Sequence, residues 1–156
     1  AGGGNTFDVM NFHFYSAFHY VWDRFGHGVA GKANYLRSEL KRYGFTKPIA
    51  CTEIGHPTAG PAADKQDYSE DATSRYVAKG VIRALADDVK PVIWFSLTDP
   101  EEDARRFGLL DQNLKRKKPF YAFQTLLRQL DGTHGATSLS LSKKSGLEGY
   151  QFLTND

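Results

Sequence analysis

Apolar and polar positions alternate with period two from Thr6 to Ser16 (TFDVMNFHFYS), the repeat of a β-strand. Phe7, Val9, Asn11, His13 and Tyr15 share one face, and Asp8, Met10, Phe12 and Phe14 share the other. Both faces are largely apolar, which predicts a strand covered on both sides. From Ala30 to Tyr43 the period lengthens: Leu36, Leu40 and Tyr43 fall at helical spacing and Gly44 supplies a stop. The cycle then repeats. Pro48 to Ile54 reads as a short strand, and Ser69 to Asp87 as a long helix with Val77, Val81 and Leu85 as its stripe and Ala78 and Ile82 beside it. Asp67 with Glu70 predicts a capping-box-like start for that helix. Pro91 to Leu97 (PVIWFSL) predicts a third strand. Pro119 then opens a helix with Phe123, Leu126, Leu127 and Leu130 on one face and Gly132 after its end.

Strand and helix thus alternate three times, which predicts an α/β fold with parallel strands and helices packed outside them. Each long polar loop follows the C-terminal end of a strand, the side on which parallel α/β folds place their sites. After Gly132 the pattern changes. ATSLSLS and GYQFLT, joined by the turn-like KKSGLEG, predict an antiparallel hairpin. Residues 1–132 and 133–156 therefore read as two parts.

The candidate chemistry lies at the strand ends. Glu53 closes a short apolar run, where an unpartnered carboxylate is costly. If the strands are neighbours, His13 and Tyr15 from the first, Glu53 from the second and Trp94 from the third lie side by side. Ile49, Cys51 and Glu53 are expected to share the inward face, as are Val92, Trp94 and Ser96. Tyr15 could hydrogen-bond Glu53 and keep it ionised while Trp94 stacks on a pyranose.

HFY on one strand, TEIG on the next and IWFSL on the last, followed by FGLLDQNLKRKKPFYAFQTL, resemble the sixth to eighth strands of clan A retaining glycoside hydrolases. The likeness runs over roughly Phe7 to Leu130 and is nearest to bacterial family 39-like and family 5-like members. It implies a partial (β/α)8 barrel over residues 1–132 and the start of a β-domain over 133–156. Glu53 then matches the nucleophile of a double-displacement mechanism, Tyr15 the residue positioning it, His13 a pocket histidine and Trp94 the sugar platform. His56 and Trp22 are further candidates, for outer subsites. The implied substrate is an oligosaccharide or polysaccharide, with no cofactor and no metal.

A retaining pair needs a second carboxylate ~5–5.5 Å away. The family keeps it in an Asn-Glu pair that this sequence lacks. Glu39 and Glu70 fall in helices and Glu148 in the hairpin turn, which leaves only Glu101 and Glu102 within reach. A barrel also needs eight strands and typically ~250 residues. The chain therefore reads as a fragment, inactive alone, whose two open sheet edges invite pairing with a second copy. A non-catalytic carbohydrate-binding or structural module, and an unrelated open α/β domain, remain as alternatives.

Composition narrows the field. A net charge of +2 over 156 residues argues against nucleic acid or an anionic membrane as partner. The basic run Lys115 to Lys118 reads as a solubilising turn. A single cysteine, Cys51, excludes an internal disulfide and reads as a buried small hydrophobe. No run is long enough to span a bilayer and no secretory leader pattern is present, so location stays open between extracellular and cytoplasmic. His19, His27 and His56 show no metal spacing and are expected in solvent. As a structural acid, Glu53 would pair with Arg75 or Lys47.

Overall fold

A computed structural model describes residues 3–61, 66–101, 104–141 and 147–154. Three strands, β1 (Met10–Tyr15), β2 (Ile49–Gly55) and β3 (Val89–Trp94), form one parallel sheet in the order β1-β2-β3. They alternate with α1 (Val29–Arg42), α2 (Glu70–Ala86) and α3 (Lys118–Leu130). Strands β4 (Thr133–Ser138) and β5 (Tyr150–Thr154) pair antiparallel, as the hairpin pattern predicts. Lys143 to Gly146, the centre of its expected turn, lie outside the described residues.

The helices cover one face of the sheet. Phe12, Phe14, Ile49, Cys51, Ile54, Val89 and Trp94 bury against Val29, Ala33 and Leu40 of α1, Val77, Val81 and Ala84 of α2 and Leu126 of α3. The opposite face is open: Asn11 and His13 on β1 and Ile93 on β3 are exposed. The expectation of a first strand covered on both sides is therefore corrected, because helices pack against one side only. Leu127 and Tyr43, expected in helix stripes, are also exposed, at 53% and 57%.

Helix α2 is capped differently from the expected pairing of Asp67 with Glu70. Ser69 is the N-cap and accepts from the backbone N–H of Ala72. Asp67 instead accepts from the backbone N–H of Ser69, and Glu70 from that of Lys118 at the start of α3.

A second departure decides where the chemistry goes. Met10, Asn11 and Phe12 pair with Ile49, Ala50 and Cys51, but His13 pairs with Glu53. Thr52 is thus the extra residue of a β-bulge, and beyond it every side chain of β2 changes face. Ile49 and Cys51 face the helices, Glu53 joins His13 on the open face, and Ile54 returns to the core beside Phe14. Glu53 does not share a face with Ile49 and Cys51 as the alternation alone implied.

The loop from β3 to α3 is fastened by a buried ion pair. Lys117 Nζ lies 2.8 Å from Asp99 Oδ1 and donates to Thr58 Oγ1 at 2.8 Å, while Asp99 also accepts from the N–H of Gly108. Lys117 is 8% exposed, so the run Lys115 to Lys118 is not simply a solubilising turn: its third residue is an internal staple. Among the described residues no helix is long and apolar enough to cross a membrane.

Candidate active site

The C-terminal ends of β1 and β2 meet at one carboxylate oxygen. Tyr15 donates its phenolic hydrogen to Glu53 Oε2, and His13 Nδ1 lies 3.1 Å from the same atom. The side chains of His13 and Glu53 are 53% and 32% exposed, so the acid is held and still open to a ligand. Neither expected structural partner reaches it: Arg75 pairs with Asp67 at 3.5 Å and Lys47 lies over the ring of Phe7 at 5.4 Å. Burial, and then the hydrogen bond to Glu53, push the Tyr15 phenol well above the usual tyrosine range, so it stays a donor at neutral pH.

The backbone beneath Tyr15 explains the glycine that follows Glu53-Ile54. Tyr15 pairs with Gly55. A Cβ on Gly55 would lie 2.8 Å from the carbonyl oxygen of Phe95 and 3.1 Å from Tyr15 Cε1. The missing side chain lets the phenol lie across β2 toward Glu53. Phe95 and Phe107 close around that ring edge-on, with centroids 6.0 and 5.4 Å from it. Lys32 of α1 donates to the His13 carbonyl at 2.9 Å and ties α1 to β1.

The other expected site residues lie elsewhere. Trp94 pairs with Ile54, is 9% exposed and packs between Tyr76 of α2 and Phe123 of α3. Val92 and Trp94 do share a face, but it is the helix face. The aromatic residue beside Tyr15 is Phe95, one position on. Trp22 packs at a tilt against Tyr35 of α1, with centroids 5.2 Å apart, beneath the ammonium of Lys32, and so belongs to the helix layer. His56, expected in solvent, is 8% exposed; His19 and His27 are exposed as expected. Glu101 is exposed and Glu102 lies outside the described residues. Cys51 is fully buried, its thiol pushed up to about 12 by burial, which suits a core residue and not a nucleophile.

A cavity of about 380 Å³ adjoins Tyr15, lined also by Phe18, Tyr68, Phe95, Arg105 and Phe107. Its aromatic walls with one guanidinium suit a ligand with apolar faces and polar edges. A larger cavity of about 620 Å³ lies at the opposite end of β1, lined by Phe7, Met10, Leu36, Leu40 and Phe45. It is apolar and remote from Glu53. Among the described residues no three His, Cys, Asp or Glu side chains gather as a metal site would require.

No protein-family model and no curated protein matches the sequence. Solved structures do match the fold. A family 2 β-galacturonidase from Eisenbergiella tayi aligns with a TM-score of 0.58 at 17% identity, covering 79% of this chain and 24% of that one. A family 17 β-1,3-glucanosyltransferase from Rhizomucor miehei gives 0.55 at 18% identity, covering 74% and 43%. A family 39 β-xylosidase from Caulobacter crescentus gives 0.54 at 17%, covering 96% and 28%. The chain has a glycoside hydrolase-like fold and spans 24% to 43% of the length of these three structures.

Proposed function

We propose that this chain is the nucleophile-bearing part of a retaining glycoside hydrolase, contributing the last three strand–helix units of a (β/α)8 barrel. The observation that carries the reading is the convergence of Tyr15 and His13 on a single oxygen of Glu53 at the C-terminal ends of adjacent parallel strands. The hydrogen bond from Tyr15, with the His13 imidazole 3.1 Å from the same oxygen, orients the carboxylate and lowers its freedom, as a nucleophile attacking an anomeric carbon requires. Tyr15 holds Glu53 in place before attack and remains bonded to it as charge leaves the carboxylate.

In the proposed reaction Glu53 forms a bond to the anomeric carbon as the glycosidic oxygen departs, protonated by a general acid on another strand of the barrel. Water then attacks the glycosyl–enzyme with that same residue as base. The substrate is a carbohydrate whose ring lies against the open face of the sheet, with Phe95 and the aromatic walls beside Tyr15 as the stacking surface. The three strands by themselves carry no acid for the first step, so the isolated chain is expected to be inactive.

The test is to express the barrel-length protein and treat it with 2-fluoro glycosides bearing a good leaving group. A stable adduct on the peptide containing Glu53 supports the assignment. Hydrolysis that proceeds with unchanged rate after Glu53→Gln would overturn it.

A further inference from the structure

The backbone ladder between β1 and β2 ends at the rung Tyr15–Gly55, immediately beneath the carboxylate. Beyond that rung the chains separate, one into the short 3-10 helix Ser16–Val21 and the other into the loop after β2. The next residue on each side forms a tie of its own. Ser16 Oγ lies 2.5 Å from His56 Nδ1, and His56 Nε2 lies 2.9 Å from the carbonyl oxygen of Asp67. A backbone carbonyl only accepts, so the ring proton sits on Nε2, and Nδ1 is left to accept from the Ser16 hydroxyl. The imidazole stacks on Tyr76 of α2, with centroids 5.2 Å apart and planes at 29°. Serine and histidine therefore continue the strand pairing with side chains where main-chain pairing stops, and α2 backs the ring.

We propose that His56, acting through Ser16, is a positioning residue for Glu53: it clamps the last rung of the sheet and so holds the phenol of Tyr15 on the carboxylate. The inference rests on the reading of Glu53 as nucleophile. Its structural content concerns only the coupling of His56 to the Tyr15–Glu53 bond. Burial holds the His56 imidazole below its ordinary value, which keeps the ring neutral and Nδ1 available. His56 lies one residue past Gly55 and Ser16 one past Tyr15. Releasing the clamp exposes the terminal rung to fraying, the usual fate of an unsupported strand end.

The experiment replaces tyrosine with 3-fluorotyrosine, whose more acidic phenol titrates in an accessible pH range, and follows the Tyr15 resonance by fluorine NMR in this chain. His56→Phe keeps the stacking on Tyr76 and removes both hydrogen bonds. Ser16→Ala removes the bond to His56, together with the longer 3.4 Å contact of Ser16 Oγ with Gln66 Oε1, without touching the ring. In both variants the Tyr15 midpoint is expected to fall by about one pH unit, a tenfold loss of proton affinity, with the circular dichroism of the folded state retained. His56→Asn, whose amide oxygen can accept from Ser16, is expected to restore most of the shift. Tyr15 midpoints unchanged in both His56→Phe and Ser16→Ala would overturn the proposal. The measurement needs no turnover, so its failure leaves the glycosidase reading standing. An absent Glu53 adduct in the barrel-length protein would defeat that reading without affecting this coupling.

Discussion

Tyr15 and Glu53, 38 residues apart in the chain, are joined by a hydrogen bond from the phenol to Oε2. They meet because parallel pairing brings the ends of β1 and β2 together and the bulge at Thr52 turns Glu53 onto the face that Tyr15 shares. The bond is cross-strand and diagonal, from the Tyr15–Gly55 rung back to Glu53 on the His13–Glu53 rung, so changes at either strand end should be read at Tyr15.

Glu53→Gln removes the anionic acceptor while keeping the shape. The Tyr15 phenol should then titrate closer to the ordinary tyrosine value, since both the hydrogen bond to a carboxylate and its charge raise it now. Fluorine NMR of the labelled chain checks this. On the proposed function, the same change in the barrel-length protein should lower hydrolysis by roughly three orders of magnitude or more, as loss of a nucleophile does elsewhere.

Gly55→Ala should disturb the site through sterics alone. The new methyl would meet the Phe95 carbonyl oxygen at 2.8 Å and Phe107 Cδ1 at 3.2 Å, and the first of these is backbone that cannot rotate away. A loss of about 1–3 kcal/mol is expected from such overpacking, measured as a lower urea midpoint at unchanged slope. Tyr15 should report the displacement as a changed fluorine shift.

Lys117→Met should be the most damaging substitution outside the site. It leaves the Asp99 carboxylate, with its side chain 6% exposed, buried without its cation, at a cost of about 3–5 kcal/mol. The double variant Lys117→Met with Asp99→Asn should recover most of this. The amide oxygen still accepts from Gly108 and no charge is left stranded. Chemical denaturation of the four proteins in a double-mutant cycle gives the coupling.

Acid should loosen the contact between the hairpin and α2. The hydrogen bond from Arg83, helped by Tyr150, pulls the Glu148 carboxyl from 4.5 down to about 2, and Arg83 Nε lies 2.8 Å from Glu148 Oε2. A folded-state value below the unfolded one means that this contribution is present above pH 4.5 and is lost as the pH falls toward about 2. The Glu148 side chain is 42% exposed, so solvent screening holds the effect to about 1 kcal/mol or less. Glu148→Gln should flatten stability against pH across that window, measured by urea midpoints at a series of pH values.

The order of strands and helices, their parallel pairing, the terminal hairpin and the meeting of His13 and Tyr15 with Glu53 were all legible in the sequence. These depend on local periodicity and on residues two apart in one strand, which chain connectivity preserves. The faces of β2 and β3 were not legible. A single extra residue at Thr52 inverts the parity of everything after it, and nothing in ACTEIG distinguishes a bulge from a regular strand. On β3 both members of the doublet Trp94–Phe95 are large and apolar, so alternation could not say which enters the core. The tertiary structure decides, because Tyr76 and Phe123 enclose Trp94 on the helix side and leave Phe95 beside Tyr15. Lys117 and His56 look like surface residues by type. Each is buried because partners distant in the chain, Asp99 and Thr58 for one and Ser16 and the Asp67 carbonyl for the other, satisfy its polar atoms. Sequence periodicity determined which elements form; the register between them, and the long-range partners that make burial of a polar group tolerable, came only with the folded chain.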